Sequence, residues 1–277
     1  MFKILAIFGA TGKQEISIID HVLNDSELSR QYKIRAITRD FTSAKAKLLQ
    51  DKVEVVHGAI LNRPSVETAL TGVHAVFIMT ASFLSPDVEG QISSSALPSI
   101  YELSGGKYVK VTGFDIKAKA EQYIWGLPVP SAFCSLGSFV ENFESYSYLT
   151  PRKEEDVNSV RDTGKFVGAI LAEPDKFDGK TLCDATKLYS LQEMIAIVSK
   201  ATGKDITYKH ISPDEFRKRL KLPDSVVDMF MEMITFLDET EYFGPNTENL
   251  VAWSANNARG KLSTLEEYLE AHPLRLE

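Results

Sequence analysis

The chain is poor in cysteine and histidine and has no surplus of basic charge. Its two cysteines, Cys134 and Cys183, lie far apart in apolar surroundings, which argues against a disulfide framework and predicts two buried, reduced thiols. Its five histidines are scattered without metal-ligand spacing, so no metal site is expected. With 31 basic against 38 acidic residues, a formal net charge of −7 and no basic block, a surface built to read nucleic-acid phosphates is not expected. No apolar run approaches the ~18 residues of a membrane span. The first residues enter an apolar strand pattern directly, with neither the apolar core nor the cleavage site of a signal peptide. The expected location is therefore cytoplasmic or nuclear.

What is present is an ordinary globular composition, 44% hydrophobic and 25% charged over 277 residues, enough for a full core. The first half alternates short β-branched runs with helical patterns. Strands are expected at Lys3 to Phe8, Lys33 to Thr38, Val53 to His57, His74 to Met79 and Lys107 to Thr112. Such βαβ alternation implies an α/β fold, a doubly wound parallel sheet with helices on both faces. A further strand and loop is read over Ser131 to Phe143, followed by a polar stretch from Thr150 to Asn158. The expected division is residues 1–150 as the first domain and 151–277 as a smaller C-terminal α+β lobe completing the cleft, interleaved with the first.

In that lobe, helices are expected from Asp162 to Leu171, Ser190 to Thr202, Pro213 to Leu220, Asp224 to Phe236 and Thr264 to Glu270, with a strand at Lys180 to Cys183. The last helix carries a capping-box pattern in which Ser263 caps an amide and Glu266 bonds back.

Directly after the first strand comes Phe8-Gly9-Ala10-Thr11-Gly12-Lys13-Gln14-Glu15, followed by the helical spacing Ile16, Ile19, Val22. A glycine motif alone says little, but here it follows a first strand, opens a helix and heads a βαβ series. That is the context of a Rossmann phosphate-binding turn. Gly9 permits the tight turn, and Gly12 lets backbone approach a pyrophosphate held on the helix amides. A third glycine is the usual residue where this chain has Glu15. A carboxylate in the first helical turn suits the helix dipole by about 0.3–1 kcal/mol but repels a pyrophosphate seeking the same amides. Three outcomes follow: Glu15 points to solvent and the cofactor binds, Glu15 weakens binding, or Glu15 closes the site. Lys13 offsets part of the repulsion.

The second strand ends in Ala36-Ile37-Thr38-Arg39-Asp40, where an acidic residue would grip the ribose of NAD. Arg39 stands there instead, a guanidinium suited to a 2′-phosphate, which favours NADP over NAD. The competing reading is a solvated Arg39–Asp40 loop.

These features, with Val55-Val56-His57-Gly58, Ala69-Leu70-Thr71-Gly72-Val73, Val76-Phe77, the run from Phe114 to Ile124 and the run from Leu136 to Phe143, resemble the NmrA-like family. The resemblance continues through Asp162-Thr163-Gly164 to the C-terminal helix and covers nearly the whole chain. It implies a fold related to atypical short-chain dehydrogenases, with the small lobe forming a cleft over the nicotinamide. It also implies NADP-sensing regulators of transcription factors or metabolic enzymes on one side, and reductases of quinones or phenylpropanoid-type substrates on the other. The cofactor ligands it implies are Gly9, Thr11, Gly12, Lys13 and Gln14 of the turn, then Arg39, Thr80 and Lys117.

Two further departures stand out. Gly58-Ala59-Ile60 replaces a glycine-aspartate pair near the adenine, and the stretch between Lys107 and Lys117 is shortened. Hydride transfer to a carbonyl needs a proton donor, commonly a tyrosine four residues before a lysine. Lys117 matches the lysine, but Gly113 stands at the tyrosine position, leaving Thr112 as a weak hydroxyl partner. Lys117 is then a catalytic candidate, a holder of the nicotinamide ribose, or a plain helix-surface residue. Glu141 and Glu144 form a possible carboxylate pair, with solvated helix ends the alternative. Phe139, Phe143, Tyr146 and Tyr148 line a ligand cleft or the core.

The expected function is an NADP(H)-binding redox-responsive regulator acting on a protein partner. The alternatives are an NADPH-dependent reductase of quinones or conjugated carbonyls, and a cofactor-free scaffold in which Glu15 and Ala59 have ended dinucleotide binding.

Overall fold

The computed structural model describes residues 2–79, 97–141 and 154–274. It begins with β1 (Lys3–Phe8), α1 (Lys13–Asn24), α2 (Leu28–Gln31), β2 (Tyr32–Thr38), α3 (Ala44–Gln50), β3 (Glu54–His57), α4 (Arg63–Ala69) and β4 (Ala75–Phe77). These four strands form a parallel sheet in the order β3-β2-β1-β4. The chain moves outward from β1 to β3, then returns to β4 on the other side of β1. That reversal opens a crevice at the C-terminal ends of β1 and β4, where ligands of doubly wound sheets bind. The α/β class, the parallel sheet and the first four strands are as the sequence predicts.

Next come α5 (Ile100–Leu103), α6 (Thr112–Trp125), β5 (Phe133–Leu136), β6 (Ser138–Phe139) and β7 (Glu154–Asn158). A 3-10 turn at Val160–Asp162 leads into α7 (Thr163–Ala172) and α8 (Pro174–Phe177), then β8 (Thr181–Asp184), β9 (Lys187–Ser190) and α9 (Leu191–Thr202). The last helices are α10 (Pro213–Arg219), α11 (Asp224–Glu239), α12 (Thr247–Asn257) and α13 (Leu265–Ala271). β5 pairs in parallel with β8, while β7 lies between β6, parallel to it, and β9, antiparallel. No helix among the described residues is long and apolar enough to cross a membrane.

The core follows from the patterning. Leu5 and Ile7 of β1 meet Ile18, Ile19 and Val22 of α1 and Phe166, Val167 and Ala169 of α7, all buried. Burial on this scale stabilises by about 1.5–3 kcal/mol per large apolar side chain. α7 reaches α1 only because it carries glycine at the crossing. A Cβ on Gly164 would stand 2.4 Å from the Ser17 carbonyl oxygen, and one on Gly168 2.4 Å from His21 Nε2. Ser17 locks this contact, its hydroxyl donating to the Arg161 carbonyl at 2.7 Å and accepting from the Gly164 amide at 3.0 Å. Arg259 ties the far end of α1 to the C-terminal segment, pairing with Asp25 and Glu27 at 2.7 Å each.

Three expectations need correction. Lys107 to Thr112 is not a strand: the Val109 and Lys110 amides donate to the Glu232 carboxylate of α11 at 2.8 and 2.6 Å, instead of to a sheet neighbour. Tyr108 and Val111, three residues apart, plug into a cluster with Phe114 and Phe236, while Val109 is exposed. The cap of the last helix falls one residue later, Thr264 accepting from the Glu267 amide while Glu267 accepts from the Thr264 amide, each at 3.2 Å. Ser263 is drawn away by the buried Asp162, to which its amide and hydroxyl both donate. The polar stretch before Ser159 contains β7, whose sequence Glu-Glu-Asp-Val-Asn has no apolar alternation to betray it.

Candidate functional site

The first strand delivers its C-terminal end into a tight turn. Gly9 adopts φ +67°, a backbone conformation open to glycine and strained for residues with a Cβ. The Gly12 amide donates back to the Gly9 carbonyl at 2.8 Å, and the Ala10 amide to the Ile37 carbonyl of β2 at 3.2 Å. Gly12 is the cap residue of α1 and supplies no side-chain cap of its own. This is the geometry that holds anions at a helix N-terminus. Thr11 and Gln14 are partly buried in the turn and Lys13 is exposed. The Gln14 side-chain oxygen is buried with no hydrogen-bond partner.

Glu15 turns inward. Only 4% of it is exposed, and its carboxyl lies under the two glycines, with Oε1 3.3 Å from where a Cβ of Gly9 would stand and Oε2 about 2.1 Å from that of Gly12. Of the three outcomes read from the sequence, the solvent-facing one is therefore corrected: the carboxyl lies against the backbone of both glycines. Burial pushes its pKa up to about 7, partly opposed by its own backbone amide. Near neutral pH the group is divided between its two charge states.

The opposite end of the crevice lies at the tips of β2 and β3. Asp40 is occupied locally, its Oδ1 accepting from the Thr42 amide at 2.9 Å and the Thr42 hydroxyl at 2.6 Å. Arg39 is exposed and enters no ion pair among the described residues, so its guanidinium stands uncommitted at the C-terminal end of β2. Gly58 lets β3 approach β2, since a Cβ there would meet Ile37 Cγ2 at 2.4 Å. The Ala59 amide donates to Ser65 Oγ at 3.1 Å. Phe41 and His57 meet edge to face at 6.2 Å beside this end, an exposed aromatic pair that no local pattern announced.

Lys117 lies partly buried on α6, and burial lowers its pKa to about 8. Gly113, in the first turn of the same helix, is buried, while Thr112 is exposed at the helix start. Thr80 lies outside the described residues, as do Phe143, Glu144, Tyr146 and Tyr148. Glu141 accepts from the Ser159 hydroxyl at 3.0 Å and the Val160 amide at 3.2 Å, holding the turn that enters α7. Phe139 packs against the main core.

The sequence reading missed Asp184. It ends β8 fully buried, and neither carboxyl oxygen has a nitrogen or oxygen partner among the described residues. Burial holds its pKa well above the ordinary range, with the Cys134 thiol lowering it in part. Cys134 and Cys183 form no disulfide and are buried, as expected, and lie on the paired strands β5 and β8. A buried apolar run ending in Asp was the available signal. Tyr242 closes the same strand end, its hydroxyl donating to the Leu136 carbonyl at 3.1 Å and its ring meeting Phe114 of α6 at 6.2 Å.

Comparison with known proteins agrees with this architecture. The model of the NmrA-like family matches residues 1–93 and 92–269. An NmrA-like family domain-containing protein of Dictyostelium discoideum is 26% identical over 318 aligned positions, covering 100% of each chain. Among solved structures, NmrA, a negative transcriptional regulator, in complex with NADP superposes with a TM-score of 0.71 at 19% identity over 99% of this chain and 98% of that one. An NADPH-dependent quinone oxidoreductase from Escherichia coli complexed with NADPH gives 0.69 at 18% identity over 96% of this chain and 99% of that one. At such identities the superpositions establish the fold.

Proposed function

Because the chain belongs to the NmrA-like family, we propose that it binds a nicotinamide dinucleotide at the glycine turn and acts through occupancy, as a redox-responsive regulator, rather than through turnover. The observation that carries the reading is α6: the helix brings Lys117 into the protein, but the position one turn earlier is a buried glycine with no hydroxyl to give a proton. Bound there, the dinucleotide would supply a hydride. Without a placed acid, transfer to an ordinary carbonyl loses the contribution of general acid catalysis, about 100- to 10,000-fold.

The residues present suit the cofactor in their backbone. Gly9 at φ +67° and the uncapped start of α1 form the pyrophosphate cradle, and the uncommitted Arg39 suits a 2′-phosphate. NADP is therefore the preferred dinucleotide in this reading. Glu15 is the group in the cradle that opposes it while charged.

The test combines two measurements on one cofactor-loaded sample. The regulator reading expects NADPH to raise the melting temperature and alter the hydrodynamic behaviour, with no oxidation of NADPH above background against quinones. Turnover on quinones would replace this reading with the reductase. Lys117, whose lowered pKa leaves it able to exchange a proton near pH 8, is the observation favouring that second reading. Quinones accept hydride with less help from an acid. A sensor further requires different cofactor affinity in two conformations, so identical behaviour with and without NADPH would reject it.

A further inference from the structure

The carboxyl that lies against the glycine cradle bears on how the cradle is occupied. We propose that Glu15 makes dinucleotide binding proton-coupled: the pyrophosphate enters only when the carboxyl is neutral, so that each binding event above neutrality takes up one proton from solvent. The inference rests on the dinucleotide-binding reading and adds its regulation by pH.

Geometry comes first. Glu15 Oε2 stands about 2.1 Å from the point a Cβ on Gly12 would occupy, and Oε1 3.3 Å from that of Gly9, so the carboxyl lies against the backbone a pyrophosphate must approach. The side chain is only 4% exposed and cannot shed its charge into water without leaving this place. A carboxylate and a pyrophosphate competing for the same amides repel each other strongly in so desolvated a site. A neutral carboxyl instead keeps one O–H, which can donate to a phosphate oxygen. The same side chain is a barrier when charged and a ligand when protonated.

Neighbouring charges do not decide the matter. Lys13, on the same helix, is exposed. The 3-10 turn and α7 bring Arg161, Asp162 and Lys165 against the later turns of α1, where Ser17 and His21 sit. β1 carries one charged side chain, Lys3, exposed at the end of the strand away from the turn, and Gly9, Ala10, Thr11 and Gly12 carry none. Among the described residues, Glu15 feels its own burial first and its own backbone amide second, with no charged side chain shifting it. A pKa of about 7 places the switch in the neutral range.

The direction is fixed by linkage. Below about pH 6 the carboxyl is already neutral in the free protein, so affinity is flat with respect to this group. Above about pH 7 a proton must be supplied, and affinity falls tenfold per pH unit, about 100-fold by pH 9.

Calorimetric titration of the wild-type chain and of Glu15→Gln with NADH and NADPH, at pH 6, 7.5 and 9, tests this. Each pH is run in two buffers of different ionisation enthalpy. The expected result is a wild-type Kd that weakens about 100-fold between pH 6 and pH 9, with close to one proton taken up at pH 9. Glu15→Gln should bind with a flat profile and no uptake, while any titration of the cofactor itself is common to both proteins and cancels. Wild-type binding with the same profile as Glu15→Gln would overturn the proton coupling and leave the dinucleotide reading standing. Failure of the wild type to bind at any of the three pH values would overturn both. Glu15→Gly then tells whether the cradle is closed by this side chain alone.

Discussion

Replacing Glu15 by glutamine should stabilise the protein, and by an amount that depends on pH in a way no simple packing change can imitate. In the folded chain the carboxyl titrates at about 7 against an ordinary 4.5. A folded-state acid with a raised pKa costs nothing when both states are protonated. The cost grows as pH rises from 4.5, where the unfolded chain ionises, and is complete once pH exceeds the folded value. Its size follows from the gap between the two pKa values at about 1.4 kcal/mol per pH unit, or roughly 3 kcal/mol. Glutamine has nearly the same shape and no charge to desolvate, so it escapes this cost. For a chain of this length, 3 kcal/mol corresponds to a melting-temperature gain of roughly 5 °C. Thermal unfolding of both proteins followed by circular dichroism from about pH 4 to pH 8 is the assay. The difference should change in glutamine's favour across this range and level off above about pH 7. A difference that stays constant from pH 4 to pH 8 would refute the claim that an ionisable group is buried in the cradle.

Other perturbations probe the rest of the account. Arg39→Ala should weaken NADPH binding by about 10- to 100-fold, the worth of a charge-assisted contact to phosphate, while changing NADH binding little; equal losses for both would remove Arg39 from the 2′-phosphate. Gly164→Ala should cost about 1–3 kcal/mol in chemical denaturation, because its Cβ would stand 2.4 Å from the Ser17 carbonyl oxygen and α7 would have to move off α1. Arg259→Ala should destabilise by about 1–3 kcal/mol at neutral pH. Arg259 holds the Asp25 carboxyl far below its usual range. That stability is present above the ordinary aspartate pKa and should fade as pH falls below it, so a penalty persisting unchanged in strong acid would contradict the pairing. Lys117→Met should stabilise the apoprotein at neutral pH, since burial has lowered the lysine pKa to about 8; a loss of stability would show that the ammonium's contacts outweigh its desolvation.

The parts of the fold that were legible in the sequence are those governed by local patterning. The four strands of the parallel sheet announce themselves through β-branched runs, and α1 through the spacing of Ile19 and Val22. α9 is marked by the Ser190 and Glu193 capping box at one end and by Gly203 at φ +66° at the other. What was hidden depends on distant partners. The Lys107 to Thr112 segment reads as a strand by its apolar alternation, yet its amides belong to Glu232, 122 residues away from Lys110. α12, Thr247–Asn257, has too weak an apolar stripe to be seen alone, and it exists because Val251 and Ser254 pack on β8. In the site, the turn and Arg39 could be placed from spacing. The inward aim of Glu15 could not, because a first-turn carboxylate is equally at home in water and its place against Gly9 and Gly12 is set by the folded turn, not by local pattern. Asp184 and Tyr242 were invisible because they come from separate stretches of chain: β8 pairs Asp184 with Leu136 of β5, and Tyr242 donates to the Leu136 carbonyl.

The central claim is that the glycine turn holds a nicotinamide dinucleotide with Arg39 at its adenosine end. It is tested most directly by the dissociation constants of NADPH and NADH for the wild type and for Arg39→Ala, measured at about pH 6, where Glu15 is neutral. The account predicts saturable one-to-one binding, tighter for NADPH, with the preference erased by Arg39→Ala. No binding of either dinucleotide at that pH would contradict it and leave the turn as a structural relic filled by its own carboxyl.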